Sequence, residues 1–586
     1  MIKIFKRLKA AEWIQAIVSL VFIITQVWLE LKLPDYMSEI TTLTQTPGSK
    51  MSDIWLAGGK MLLCALGSLI AAVIVGFFAA RIAASFSQRL RSLLFNKVAS
   101  FSMEEINRFS TASLITRSTN DITQVQMLIT LGLQMLIKAP IMAVWAVMKI
   151  IGKGREWSIA TGIAVIILMV MVTLLMVFVL PKFKRMQILT DNLNRVTREN
   201  LTGVRVVRAY NAEEYQESKF EVANEELTST QLFTNRSMAI MMPMMSLIMS
   251  GISLAIYWIG AYLINGAGAM ERLDIFSNMV VFSSYSVQVI MSFMMLIMIF
   301  MILPRASVSA KRINEVLDTE SKIVDGHITE GAKDKKGEVV FEKVSFKYPE
   351  ASEYVLKDIS FTARKGETVA FIGSTGSGKS TLVNLIPRFY DATEGNILVD
   401  GVNIKDYVQE ELYNKIGYVP QKAVMFRGTV SSNVAYGDNG KEKSDMDEIK
   451  AAVRIAQGTQ FVEQMDGGYE ADIAQGATNV SGGQKQRLAI ARAICRKPEI
   501  YIFDDSFSAL DYKTDRILRS ALKKETAGVT SLIVAQRIGT IIDADQIIVL
   551  DEGMIVGKGT HRELLKTCDV YREIAMSQLS EEELVS

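Results

Sequence analysis

Six apolar runs crowd into the first half of this chain, at 14–29, 54–80, 127–151, 159–180, 238–264 and 276–303. All but the first reach the roughly 20 residues that a helix needs to cross hydrocarbon, and the first comes close to it. No water satisfies a backbone N–H or C=O in lipid, so runs of this kind are expected to be helical whatever else the chain does. At 586 residues the chain is too long for one hydrophobic core. Its apolar character stops near residue 304, and charges are spread through the remainder as in an ordinary α/β sequence.

The loops between the runs alternate in kind. Those after the second and fourth are long and basic, with Arg81, Arg89, Arg91, Arg108 and Arg117 in one and Lys182, Lys184, Arg185, Arg195, Arg198, Arg205 and Arg208 in the other. The positive-inside rule sends both to the cytoplasm, and the basic opening 1–13 joins them as an interfacial segment before a retained first helix. The turn carrying Lys149, Lys153 and Arg155 is then external despite its charge. The long loops keep a helical period, so the helices are expected to outrun the membrane and to turn near 103–109 and 212–219. Lys138, beside Pro140 in the third run, is the cation expected inside hydrocarbon, a functional candidate unless a carboxylate or the interface takes its charge. Methionines gather in the last two runs, at Met238, Met241, Met242, Met244, Met245 and Met249, then at Met291, Met294, Met295, Met298 and Met301. Such flexible side chains suit a cavity that repacks around apolar guests, and suit lipid or a neighbouring helix equally. From 305 to 337 the chain turns charged and reads as a linker, with a second domain from 338.

That second domain is organised by GSTGSGKST: Gly373, Ser374, Thr375, Gly376, Ser377, Gly378, Lys379, Ser380 and Thr381. The apolar run 368–372 precedes it and 382–386 follows, giving strand, glycine turn and helix start. Inward N–H groups and the positive helix end make a phosphate cradle. Lys379 would reach the β- and γ-phosphates, and Ser380 would ligate Mg²⁺. A second strand-like run, 499–503, ends in Asp504 and Asp505; a carboxylate at the end of a buried strand is where Mg²⁺ is held, which assigns Asp504. Between them VSGGQKQR, 480–487, opens a helix whose end could grip a second γ-phosphate. The formal charge of +2 gives no reason to invoke nucleic acid. Cys64, Cys495 and Cys568 lack disulfide or metal-ligand spacing.

With these motifs in this order the sequence resembles the ATP-binding cassette family, and the six preceding runs make it similar to an ABC exporter half-transporter. The fold class implied is multidomain: an all-α membrane domain of six helices (1–304), a linker (305–337), an α/β P-loop ATPase domain of ABC type (338–578) and a short tail (579–586). The resemblance implies that Tyr348 stacks on adenine, that 373–381 is the Walker A loop, and that Gln421 is the Q-loop residue beside Mg²⁺. It makes Ser481, Gly482, Gly483 and Gln484 the signature, Asp504 the Walker B aspartate, and 508–511 the D-loop with Asp511. The family works as dimers in which one half's signature completes the other half's Walker A site.

Two positions depart from the family pattern. Asp505 stands where a glutamate usually polarises the attacking water, and Gln536, in VAQR, stands where a switch histidine is usual. The chain's only histidines are His327 and His561. A neutral amide cannot shuttle a proton. Together these imply an ATP site that binds well and turns over poorly, as in the degenerate half of heterodimeric bacterial exporters. The expectation is therefore an ATP- and Mg²⁺-dependent plasma-membrane exporter subunit for amphipathic or apolar compounds. Its partner would be a second half-transporter with the competent glutamate and histidine, with both termini and the ATPase domain cytoplasmic. The alternatives are a homodimeric exporter, or a transporter of peptide, lipid or siderophore on the same fold; of a different class, an ATP-gated sensing protein.

Overall fold

The computed structural model describes residues 2–46, 48–151, 154–268, 271–349, 351–440, 442 and 444–579. They form two compact units, one of Met1–Ala99 with Thr111–Thr319, the other of Ser100–Ser110 with Glu320–Ser586. Lys153, the side chains of Lys184 and Met301, and positions 580–586 of the expected tail lie outside the described residues.

Among the described residues, the first unit holds 6 helical runs long and apolar enough to cross a membrane: Ala10–Gln45, Met51–Ala99, Thr111–Ile150, Arg155–Thr202, Glu213–Gly266 and Glu271–Asp318. Its core joins Ile23 and Val27 of the first run to Trp157, Ile256, Phe282 and Tyr285 from the fourth, fifth and sixth. The buried Trp157 indole donates to the Ile256 carbonyl at 3.1 Å, which satisfies its one polar atom.

Several features differ from the sequence reading. The first helix does not end near Leu29 but runs to Gln45. Glu30 and Asp35 made composition stop there, yet both charges are paired across the bundle. Glu30 Oε1 accepts from Lys138 Nζ at 2.8 Å, and Asp35 accepts from Lys149 Nζ and Tyr285 Oη, each at 2.7 Å. Lys138 thus has a carboxylate partner rather than standing alone. The third run is interrupted by π-helical turns at Arg117–Asp121 and Gly132–Leu136. The turn expected at 212–219 comes earlier: the helix ends at Thr202, a short helix spans Val204–Ala209, and the next has begun by Glu213. Asn211 takes the positive φ of 51° that such a reversal needs and that asparagine tolerates.

The expected linker is helical as far as Asp318, because Ala306, Ala310, Ile313 and Val316 recur at helical spacing and are buried. Beyond it, the N–H groups of Gly326 and His327 bond to the carbonyls of Tyr407 and Asp406, each at 2.9 Å, so this stretch is fastened to the second unit. The methionines do not act as a set. Met245 is in the core, whereas Met242 and Met298 are exposed.

In the second unit a six-stranded sheet runs in the order Met554–Gly559, Gln546–Asp551, Thr368–Gly373, Thr530–Val534, Ile500–Asp504, Ile416–Val419. All its pairings are parallel except that of Met554–Gly559. Ile500–Asp504 is buried at every position, the continuous apolar signature of a central parallel strand covered on both faces. An antiparallel sheet built on Val339–Phe346 packs against one side of this core.

Candidate functional site

The register of the parallel strands decides which side chains meet. Val534 pairs with Asp504, and Val419 with Phe503. Gly373, Gln421, Asp504, Asp505 and Gln536 therefore all leave the sheet at one edge, the carboxyl ends of neighbouring strands, where open α/β sheets bind ligands.

The glycine loop begins as Thr368–Gly373 leaves the core. A Cβ on Gly373 would come within 1.9 Å of the Leu550 carbonyl, and Gly378 holds a φ of 95° at the start of the helix Lys379–Leu385. A side chain at either position would push the loop off the sheet. Lys379 lies along the inside of the loop, donating to the carbonyls of Gly373 at 2.9 Å and Ser374 at 2.7 Å. Burial pulls its ammonium below the usual lysine range, opposed by Asp505 and Asp504. Ser380 Oγ donates to Asp504 Oδ1 at 2.7 Å. Burial pushes the Asp504 carboxyl up, with the Ser380 bond opposing it. A hydroxyl and a carboxylate held in contact at the end of a glycine loop are oxygen donors of the kind Mg²⁺ takes, and the Lys379 ammonium inside the loop is a cation of the kind phosphate takes, so the residues fit a magnesium nucleotide.

Asp505 is where the departures from the family pattern meet. Its Oδ2 accepts from Gln536 Nε2 at 2.8 Å and from Gln421 Nε2 at 3.2 Å. The structure thus brings together three residues whose roles were separate in sequence. Gln578, which sequence reasoning missed, holds the Gln536 loop from behind: its amide donates to the Gln536 carbonyl at 2.9 Å and accepts from the Ile538 N–H at 2.8 Å.

Tyr348 keeps its hydroxyl 2.9 Å from Thr381 Oγ1, and its ring meets Tyr390 edge to face at 5.3 Å. Tyr390 Oη in turn accepts from Asn107 Nδ2 at 2.9 Å. Asn107 lies on the short helix Met103–Phe109, between the second and third helical runs. Neither Tyr390 nor Asn107 carries a sequence signal, since neither belongs to a motif. A cavity of about 580 Å³ opens beside these rings, lined by Ser102, Glu104, Lys322, Tyr348 and Tyr390 among others.

Ser481 to Gln484 stand apart from the phosphate loop. Ser481 caps the helix Gly482–Cys495, its side chain accepting from Gln484 N while Gln484 Oε1 accepts from Ser481 N at 2.8 Å. Among the described residues they make no hydrogen bond to 373–381. Gly483 faces the Ala509 carbonyl, and Asp511 caps the helix Tyr512–Glu525 through Thr514 N at 2.9 Å.

With this geometry in view, comparison with known proteins is specific. The family model for the ABC transporter transmembrane region matches residues 11–293, and that for the ABC transporter matches 356–508. An uncharacterised ABC transporter ATP-binding protein of Mycobacterium tuberculosis is 43% identical over 80% of this chain and 79% of its own. An ATP-dependent lipid A-core flippase of Pseudomonas syringae is 32% identical over 80% of this chain and 77% of its own. A bacterial Atm1-family ABC exporter solved with ATP bound shares the fold, with a TM-score of 0.78 at 24% identity over 97% of this chain and 99% of that one.

Proposed function

The chain belongs to the ABC transporter family, a membrane-embedded half-transporter with its ATPase domain on the same polypeptide, and from that premise we propose that it is the weak-site half of a heterodimeric exporter. Its cargo would be amphipathic or apolar compounds, lipids among them; lipid export is favoured by the flippases among its relatives. The phosphate loop 373–381 holds ATP as substrate, Tyr348 takes the adenine, and Ser380, Asp504 and Gln421 hold Mg²⁺. When bound, that ion neutralises phosphate charge and orients the terminal phosphate. Ser481 to Gln484, with Asp511 nearby, complete the partner's site rather than their own. The membrane domain (1–304), linker (305–337) and ATPase domain (338–578) divide the work, with both termini and the ATPase domain cytoplasmic. Closure of paired ATPase domains passes to the membrane helices through the chain itself, which enters and leaves 100–110 by two of them.

One observation carries the weak-site reading: the Asp505 carboxylate is held by two neutral amides, Gln536 and Gln421. Neither amide accepts a proton, and the carboxylate is one methylene short of a glutamate. A misplacement of about 1 Å costs on the order of a hundredfold in rate. The test is ATPase activity in lipid of this chain purified alone, beside the chain co-expressed with the half-transporter encoded next to it. Activity confined to the mixed complex is the expected result. Robust activity alone would make it a homodimer, and a complex that hydrolyses ATP without moving solute uphill would make it a sensor.

A further inference from the structure

The carboxylate of Glu30, within a membrane-crossing helix, is only half used. Its Oε1 takes three donors: Lys138 Nζ at 2.8 Å, Gln26 Nε2 at 2.8 Å and Ser68 Oγ at 3.2 Å. Its Oε2 has no partner among the described residues, and the side chain keeps 22% of its surface. Asp35, further along the same helix, provides the contrast. Tyr285 Oη occupies its Oδ1 and Lys149 Nζ its Oδ2, so both oxygens are tied into the bundle.

The other half of the pair is unusually placed. Lys138 lies two residues beyond the end of the π-helical turn Gly132–Leu136 and two before Pro140. A π turn inserts a residue and re-aims what comes after it, and such turns concentrate at functional sites. Val27 and Leu31, flanking Glu30 on its helix, are buried in the apolar core, so the carboxylate borders a greasy surface.

A lone carboxylate in hydrocarbon is expensive, so ionised Glu30 is stabilised by a cation beside it. At rest that cation is Lys138, whose flexible four-carbon stem lets the ammonium withdraw toward an interface. A cationic head on an apolar body can take its place with no change in net charge. An anionic head would meet the charge of Glu30 itself.

We propose that Glu30 is a substrate-recognition carboxylate that accepts the cationic head of an apolar compound in exchange for Lys138. This rests on the export reading above and narrows its cargo. The test compares wild type, Glu30→Gln and Glu30→Gln/Lys138→Met in the assembled transporter in lipid nanodiscs. Binding of the cation ethidium and of uncharged Nile red is followed by fluorescence. Glu30→Gln is expected to weaken ethidium binding about tenfold and leave Nile red within about twofold, the scale of one lost ion pair. The charge-balanced double variant is expected to stay equally weak toward ethidium, and it carries the comparison if the single variant fails to assemble. No ethidium binding to wild type, unchanged binding in Glu30→Gln, or full recovery in the double variant would overturn the proposal, the last marking the pair as a structural staple. Export fails separately: wild-type proteoliposomes that bind ethidium yet accumulate neither probe with ATP would sink that reading and leave the carboxylate site standing.

Discussion

Asp505 holds a φ of 45°, in the left-handed region that aspartate tolerates better than most side chains, and its N–H bonds to the Val534 carbonyl at 3.0 Å. Backbone and side chain are thus both committed, and the carboxylate spends its Oδ2 on amides. Asp505→Asn in the mixed complex is therefore expected to change ATP turnover by less than about twofold, since a base worth roughly a hundredfold or more is proposed not to act here; collapse to background would make Asp505 a working base. Asp504, buried beside it, has a carboxyl that burial pushes above its ordinary value. An acid whose folded value lies above its ordinary 3.8 binds protons more tightly when folded, so it lowers stability as pH rises through that interval. Without magnesium, Asp504→Asn should raise the melting temperature at pH 7. The gain should shrink as pH falls toward the ordinary carboxylate value, while magnesium-dependent nucleotide binding is lost at every pH. Equal melting temperatures at pH 7 would count against a buried, unneutralised charge.

The short helix Met103–Phe109 shows how an element of a few residues is held. Ser102 and Glu105 form a capping box, and Glu105 Oε1 also accepts from the Lys322 N–H at 3.2 Å. Lys322 Nζ reaches back to Glu104. Burial alone would raise the Glu105 pKa, but hydrogen bonds from Ser102 and Lys322 outweigh it and hold the carboxyl below its ordinary 4.5. A depressed acid contributes its stability above the ordinary value and loses it as pH falls through the folded value. Hydrogen exchange should therefore show 102–109 opening on acidification below the usual glutamate range, before the sheet responds. Ser102→Ala should bring the same opening at neutral pH, at about 1 kcal/mol for a lost cap. Unchanged protection in that variant would mean that packing against Tyr390, not the cap, holds the helix.

At the scale of the whole molecule, Gly482 separates folding from assembly. A Cβ there meets nothing within 4 Å, so within one chain a side chain is tolerated. Gly482→Val should leave the melting temperature of the purified chain within a few degrees, since only helix propensity at an end changes. It should remove most ATP turnover of the mixed complex, because the surface it blocks is proposed to cap the partner's phosphate. Near-normal turnover would end the division of labour between the two halves.

Local chemistry was readable from the residues in order. Lipid leaves backbone groups no partner but the helix, so six apolar runs announced six helices. The glycine spacing at 373–381 and the aspartates after 499–503 likewise follow from what a phosphate and a metal require of neighbouring residues. Long-range pairing was not readable. Gln421 and Gln536 reach Asp505 only because parallel register brings three strand ends to one edge. Asn107 reaches Tyr390 across 283 positions, and Lys138 finds Glu30 across 108. Glu30 even hid the end of its own helix, since a charge ends an apolar run in sequence but not in a bundle that neutralises it. A single hydrogen bond between distant side chains leaves no periodicity in the chain; its partners are chosen by how strands and helices dock, and that choice belongs to the tertiary structure.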